Sequence, residues 1–169
     1  PYFKHDNTFY LNRNTPEKQK ILAIGSDENN QFLSKIFTND EFQFKQNKVS
    51  AINYSLFSAQ HLIILNEIKS LSEALIQNIK SFTQKGGTVI CIPPEEMNFT
   101  VYNQLFPVFN TETNIETRLT KINFSHPIFK QVFEKKITNF QFLSFKKHYQ
   151  LSRYQSTLLS FENGNPFLV

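Results

Sequence analysis

Three short, uninterrupted apolar runs stand out along the first half of the chain: Lys20-Ile21-Leu22-Ala23-Ile24-Gly25, His61-Leu62-Ile63-Ile64-Leu65-Asn66 and Thr88-Val89-Ile90-Cys91-Ile92. Runs of that length without alternation are what strands buried on both faces look like. Residues 29–38 carry Phe32, Leu33, Ile36 and Phe37 at helical spacing, which predicts a helix after the turn at Gly25-Ser26-Asp27. Residues 42–50 set Phe42 and Phe44 against Gln43 and Lys45, the alternation of a half-buried strand, and 55–60 read as a short connection. Ser70 with Glu73 three positions on predicts a capped helix start, and Leu71, Leu75, Ile76, Ile79 and Phe82 give its apolar stripe as far as Gly86-Gly87.

Strands alternating with helices predict an α/β fold: a doubly wound, mainly parallel sheet in a flavodoxin-like three-layer arrangement. The C-terminal third reads differently. A broken helix over 95–106 stops before Pro107, a loosely alternating strand covers 113–122, and Ser125-His126-Pro127 opens a short helix over 128–133. Further strands are predicted over 139–145, 157–161 and 167–169, with Glu162-Asn163-Gly164-Asn165 as a hairpin turn. We expect residues 1–19 to be a linker or the end of a preceding domain, and 20–169 to be one α/β domain truncated at its C-terminus. The start at Pro1 and the end on Pro166-Phe167-Leu168-Val169 suggest an excised piece of a longer protein.

Composition narrows the function classes. With 169 residues and 40% hydrophobic content the chain can bury one sizeable core, and 19 Phe against no Trp make Phe a main packing material. The net charge of +4 is spread over both halves, so no nucleic-acid-binding arm is indicated. The densest basic stretches, Lys135-Lys136 and Lys146-Lys147-His148, read as solvated surface. No apolar run approaches the roughly 18–20 residues that span a bilayer, so direct membrane insertion by this piece is not expected. A lone cysteine, Cys91, excludes an internal disulfide. His5, His61, His126 and His148 lack the spacing of a metal pair, and neither a metal nor any other cofactor is expected.

The strands at 21–25, 61–66 and 86–93, together with Phe124-Ser125-His126-Pro127-Ile128-Phe129 and the stretch from Leu158 to Leu168, resemble the class I glutamine amidotransferase-like superfamily in its trehalose-utilisation-like branch. With His5-Asp6-Asn7 ahead of the first strand, the series more narrowly resembles the C-terminal region of large BatA-like aerotolerance-type membrane proteins. That resemblance implies a domain held outside the bilayer in a membrane-anchored, bacterial-type envelope protein, with protein partners in a membrane-associated assembly. It also implies positions for a catalytic apparatus, and these are degenerate here. Amidotransferases set their cysteine on a tight elbow between small residues, so that the thiolate is exposed and backbone N–H groups form an oxyanion hole. Cys91 lies instead between Ile90 and Ile92, and Pro93 and Pro94 follow without amide donors. The partner pair is a histidine followed two residues later by a glutamate. His126-Pro127-Ile128 puts isoleucine where the carboxylate would orient the base.

No catalytic residue is therefore expected. Doubly wound folds bind ligands at the carboxyl ends of their strands, which makes Ser26, Asp27, Asn66, Glu67, Glu95 and Glu96 candidate ligand-edge residues; with Glu28 the acidic ones could form a rim. One glycine in place of a phosphate-binding trio, beside Asp27-Glu28, disfavours nucleotides. Two readings follow: a non-catalytic interaction or scaffold module, or a small-ligand-binding or residual hydrolase domain using the strand edge. The sequence leaves the oligomeric state open.

Overall fold

The computed structural model describes residues 17–130, 132 and 140–169. Most of the expected N-terminal linker, and Lys135-Lys136, lie outside the described residues. The described residues divide into two compact units, one of 17–67 with 82–92 and one of 68–81 with the described residues from 93 to 169.

The first unit is a four-stranded parallel sheet in the order β2-β1-β3-β4. Its strands are β1 (Gln19–Ile24), β2 (Phe42–Asn47), β3 (Leu62–Asn66) and β4 (Thr88–Ile92). The two central strands, β1 and β3, are two of the three continuous apolar runs, and Leu22, Ala23, Ile24, Ile63 and Leu65 are fully buried. The third run, β4, is an edge strand with Ile90 40% exposed and is not buried on both faces. On one face Ile21, Ala23 and Ile64 pack with Leu33 of helix α1 (Asp27–Ile36), and Phe37, Phe42, Phe44, Leu62 and Ile92 close around them. The Phe37 ring meets Phe42 edge-on at 5.3 Å and stacks on Phe44 at 5.9 Å. Each fully buried aliphatic side chain here contributes about 1.5–3 kcal/mol.

Two details differ from the sequence pattern. Helix α1 begins at Asp27 because the Ser26 hydroxyl accepts from the Asn29 N–H and caps it, so Asp27 and Glu28 occupy a first helical turn rather than a loop rim. Its inward face is Asn30, Leu33 and Phe37, whereas Phe32 and Ile36 are 63% and 64% exposed. The second strand stops at Asn47, after which Val49–Ala51 forms a tight helical turn. The stretch read as a short connection is another such turn, Tyr54–Ala59, with Phe57 buried.

Helix α2 (Glu73–Gln84) links β3 to β4 and spans the boundary between the units. Its apolar stripe of Leu71, Leu75, Ile76, Ile79 and Phe82 is buried as the spacing requires. The cap is Ser72, whose hydroxyl accepts from the Leu75 N–H, and not Ser70. The helix closes with Gly86 N–H on Thr83 O and Gly87 N–H on Phe82 O, Gly86 taking φ +89°. This is the paired closure of a Schellman ending.

The second unit is mostly antiparallel. After the single helical turn α3 (Phe99–Tyr102), which replaces the longer broken helix expected, come β5 (Phe109–Thr113) and β6 (Thr117–Ile122) where one strand was expected. Then follow β7 (Ser144–Phe145), β8 (His148–Leu151), β9 (Leu159–Phe161) and β10 (Pro166–Leu168). One sheet has the order β10-β9-β6-β7, and β5 pairs with β8. In the β9–β10 hairpin, Phe161 O accepts from Gly164 N–H and Phe161 N–H donates to Asn165 O, with Gly164 at φ +84°. No helix among the described residues is long and apolar enough to cross a membrane.

Candidate functional site

In the first unit the sheet order reverses at β1 and β3, since β1 is followed in the chain by β2 on one side and lies beside β3 on the other. The crevice beyond the carboxyl ends of such a strand pair is where open α/β sheets take ligands. Parallel pairing of Ile24 with Leu65 sets Gly25-Ser26 beside Asn66-Glu67, so the structure does bring Ser26, Asp27, Asn66 and Glu67 together.

The polar groups at this edge mostly serve one another. Ser26 is occupied as the cap of α1, and Asp27 forms an ion pair with Lys48 at 2.7 Å, both side chains exposed. Glu67 stands at φ +51°, its N–H bonded to Ile92 O and its carboxylate accepting from the Asn29 amide at 3.0 Å. Beneath it Asn66 donates to Asn30 Oδ1 at 3.0 Å, with both residues buried. Asn30 Nδ2 has no partner. Asn30 and Asn29 were missed by sequence reading, because an Asn on an otherwise apolar helix face signals nothing until its partner is known.

Glu95 and Glu96 belong to the second unit, where both are exposed. The segment carrying them is held from behind: the Tyr149 hydroxyl lies 2.8 Å from both Pro94 O and Glu95 O. Tyr149 in turn meets Phe99 and Phe109 edge-on, and Phe109 meets Tyr102, whose hydroxyl donates to Ile68 O. Pro94 is buried and Pro93 half-buried. Tyr149's hydroxyl is held above its ordinary pKa, mainly by burial.

Cys91 and His126, the degenerate catalytic positions expected from the sequence, lie far apart in the chain order of the elements and have these surroundings. Cys91 sits within β4, in register with Leu65 of β3, and burial pushes its thiol up to about 12. The reactive species of a cysteine is the thiolate, and this thiol stays protonated throughout the neutral range. His126 caps the tight helical turn Pro127–Phe129: its Nδ1 accepts from the Ile128 N–H at 3.3 Å. That bond requires an unprotonated Nδ1, so in the neutral ring Nε2 carries the proton and donates to Ser156 Oγ at 3.2 Å. A ring donating to the serine cannot at the same time take its proton. Ile128 is 59% exposed. No group of three His, Cys, Asp or Glu among the described residues is placed to hold a metal ion.

The Lys146-Lys147-His148 stretch departs from a uniformly solvated surface. Lys147 forms an ion pair with Glu112 at 3.1 Å, while His148 is buried inside the unit. No family model, curated protein or solved structure matches the chain.

Proposed function

We propose that the chain is a non-catalytic interaction or scaffold module of a larger membrane-anchored protein, built on an amidotransferase-like, flavodoxin-like α/β frame. The observation that carries this reading is the state of Cys91, half-buried within β4, where desolvation pushes its thiol up to about 12. A cysteine nucleophile acts as the thiolate, and this thiol is held protonated in the neutral range. The strand order β2-β1-β3-β4 supports the doubly wound frame. Phe32 and Ile36, one turn apart on the outer face of α1, supply exposed apolar surface of the sort that partner proteins cover.

The test uses the full-length protein in its own membrane. Chemical cross-linking should capture a protein that re-binds when both components are purified, and that is lost when Phe32→Glu and Ile36→Glu are combined. Hydrolysis of glutamine or simple esters above background, abolished by Cys91→Ala, would overturn the reading. A small-ligand site at the β1–β3 edge is the second reading, favoured by the left-handed Glu67 and the unpartnered Asn30 Nδ2. It requires saturable amide shifts at residues 25–30 and 66–67 when amides or polyols are added.

A further inference from the structure

His148 is 8% exposed, and neither ring nitrogen has a hydrogen-bond partner among the described residues. A neutral imidazole always carries one N–H donor, and native proteins leave few such groups unsatisfied when buried. The ring lies 4.4 Å from the Phe161 ring of β9, and Phe161 belongs to a cluster with Phe145 and Phe167. Phe145 and Phe167 are themselves 4.9 Å apart. His148 thus fills a slot built for an aromatic hydrocarbon. It starts β8, pairs with Thr113 of β5, and lies on the strand that packs against β10.

We propose that His148 is an acid-sensitive latch of the second unit: neutral, it fits the Phe161 slot and holds β8 against β9 and β10; protonated, it leaves the slot and frees β8.

Among the described residues, the surroundings give a proton nothing to bond to. Side chains alternate along a strand, so Lys147 and Tyr149 project to the other face, where Lys147 pairs with Glu112 of β5 and Tyr149 packs on Phe99 and Phe109. The partner Thr113 is uncharged, and β9 and β10 carry no titratable side chain. In the turn that joins them, the Glu162 carboxylate accepts from the Arg118 N–H. Arg118 and Lys121 on β6 are both exposed. An imidazolium here would be desolvated without a counter-charge, and burial accordingly holds His148 below its ordinary pKa.

The sign follows from linkage. Above the ordinary histidine value of 6.5 both forms are neutral and the latch is at full strength. As pH falls below that value the released ring binds a proton that the slotted ring refuses, so release becomes easier, by roughly tenfold per pH unit until the slotted ring also titrates.

The test follows the 169-residue chain between pH 7.5 and 4.5 by amide hydrogen exchange, corrected for the intrinsic rate, and by the NMR titration of the His148 ring. Protection of peptides covering 109–113, 148–151 and 159–161 should fall by roughly tenfold per pH unit below the histidine range. Peptides covering β1 and β3 should not follow. His148→Phe and His148→Leu should remove the acid-dependent part. A wild-type His148 that titrates at or above the ordinary value without any loss of protection, or variants with the wild-type pH dependence, would overturn the proposal. The ring titration is read on the wild type, so it decides the matter even if both variants misfold.

Discussion

Asn66, the last residue of β3, donates its side-chain amide to Asn30 Oδ1 on α1 at 3.0 Å, and both side chains are shut off from solvent. The bond ties the end of the most buried strand to the helix that begins after β1, across 36 residues of chain. Removing one partner leaves the other buried and unsatisfied, a loss of about 1–3 kcal/mol. We expect Asn66→Leu to lower the unfolding free energy by that amount in urea titrations. Asn30→Leu combined with Asn66→Leu should recover part of it, because the pair then leaves no orphaned polar atom. A double variant whose loss equals the sum of the singles would show that the two amides do not couple.

Gly25 lies directly above that pair. A Cβ there would stand 2.6 Å from Asn66 O and 3.1 Å from Asn30 Oδ1. The first of these is buried backbone at the end of a central strand and has little room to move. Gly25→Ala should therefore destabilise by about 1–3 kcal/mol through overpacking, read as a lower thermal midpoint. Gly86 makes the contrast: a Cβ there meets open space, but its φ of +89° strains any side-chain-bearing residue. Gly86→Ala should lose about 1 kcal/mol and Gly86→Asn less, since Asn tolerates the left-handed region.

The parallel half of the fold is legible in the sequence because its signals are continuous. Leu62 to Leu65 run without a polar residue among them, and the Leu71 to Phe82 stripe keeps helical period up to a glycine stop. Helix α1 shows where that legibility ends. Two overlapping faces are available, one with Phe32 and Ile36 and one with Asn30, Leu33 and Phe37. The second faces inward, with Asn66 satisfying Asn30 Oδ1, a partner no local pattern reveals. The same holds for Ser26 and Asp27, which look like loop polar groups until one caps a helix and the other meets Lys48. His148 follows two lysines and reads as surface, yet strand alternation turns it inward while Lys147 faces out to Glu112. At 113–122 loose alternation conceals a break, with β5 and β6 pairing with different partners on either side of it.

Tyr149 holds the segment at Pro94-Glu95 through one hydroxyl proton shared between Pro94 O and Glu95 O. Tyr149→Phe keeps the ring contacts with Phe99 and Phe109 and removes only that bond. We expect a loss of about 1 kcal/mol. Faster amide exchange should be confined to residues near 95–98, with the circular dichroism of the folded state unchanged. A change as large as that of Tyr149→Ala would mean that the hydroxyl, and not the ring, organises the segment.

The thiol of Cys91 gives the last test, and its sign differs from that of His148. Its ordinary value of 9.0 is pushed up to about 12 in the folded chain, so between those values the unfolded chain loses a proton that the folded chain keeps. Stability attributable to this thiol is complete below pH 9.0 and declines as pH rises towards about 12. By pH 10 the decline is about 1 kcal/mol. Lysine and tyrosine side chains titrate in the same range, so the informative quantity is the difference between wild type and Cys91→Ala measured at pH 8 and again at pH 10. The difference should shrink on going to pH 10, whatever its size at pH 8. At pH 8 a thiol-directed alkylating reagent should modify the native protein orders of magnitude more slowly than the urea-unfolded one. Rapid native alkylation would mean that the thiolate is accessible, and the case for a structural rather than a nucleophilic cysteine would fail with it.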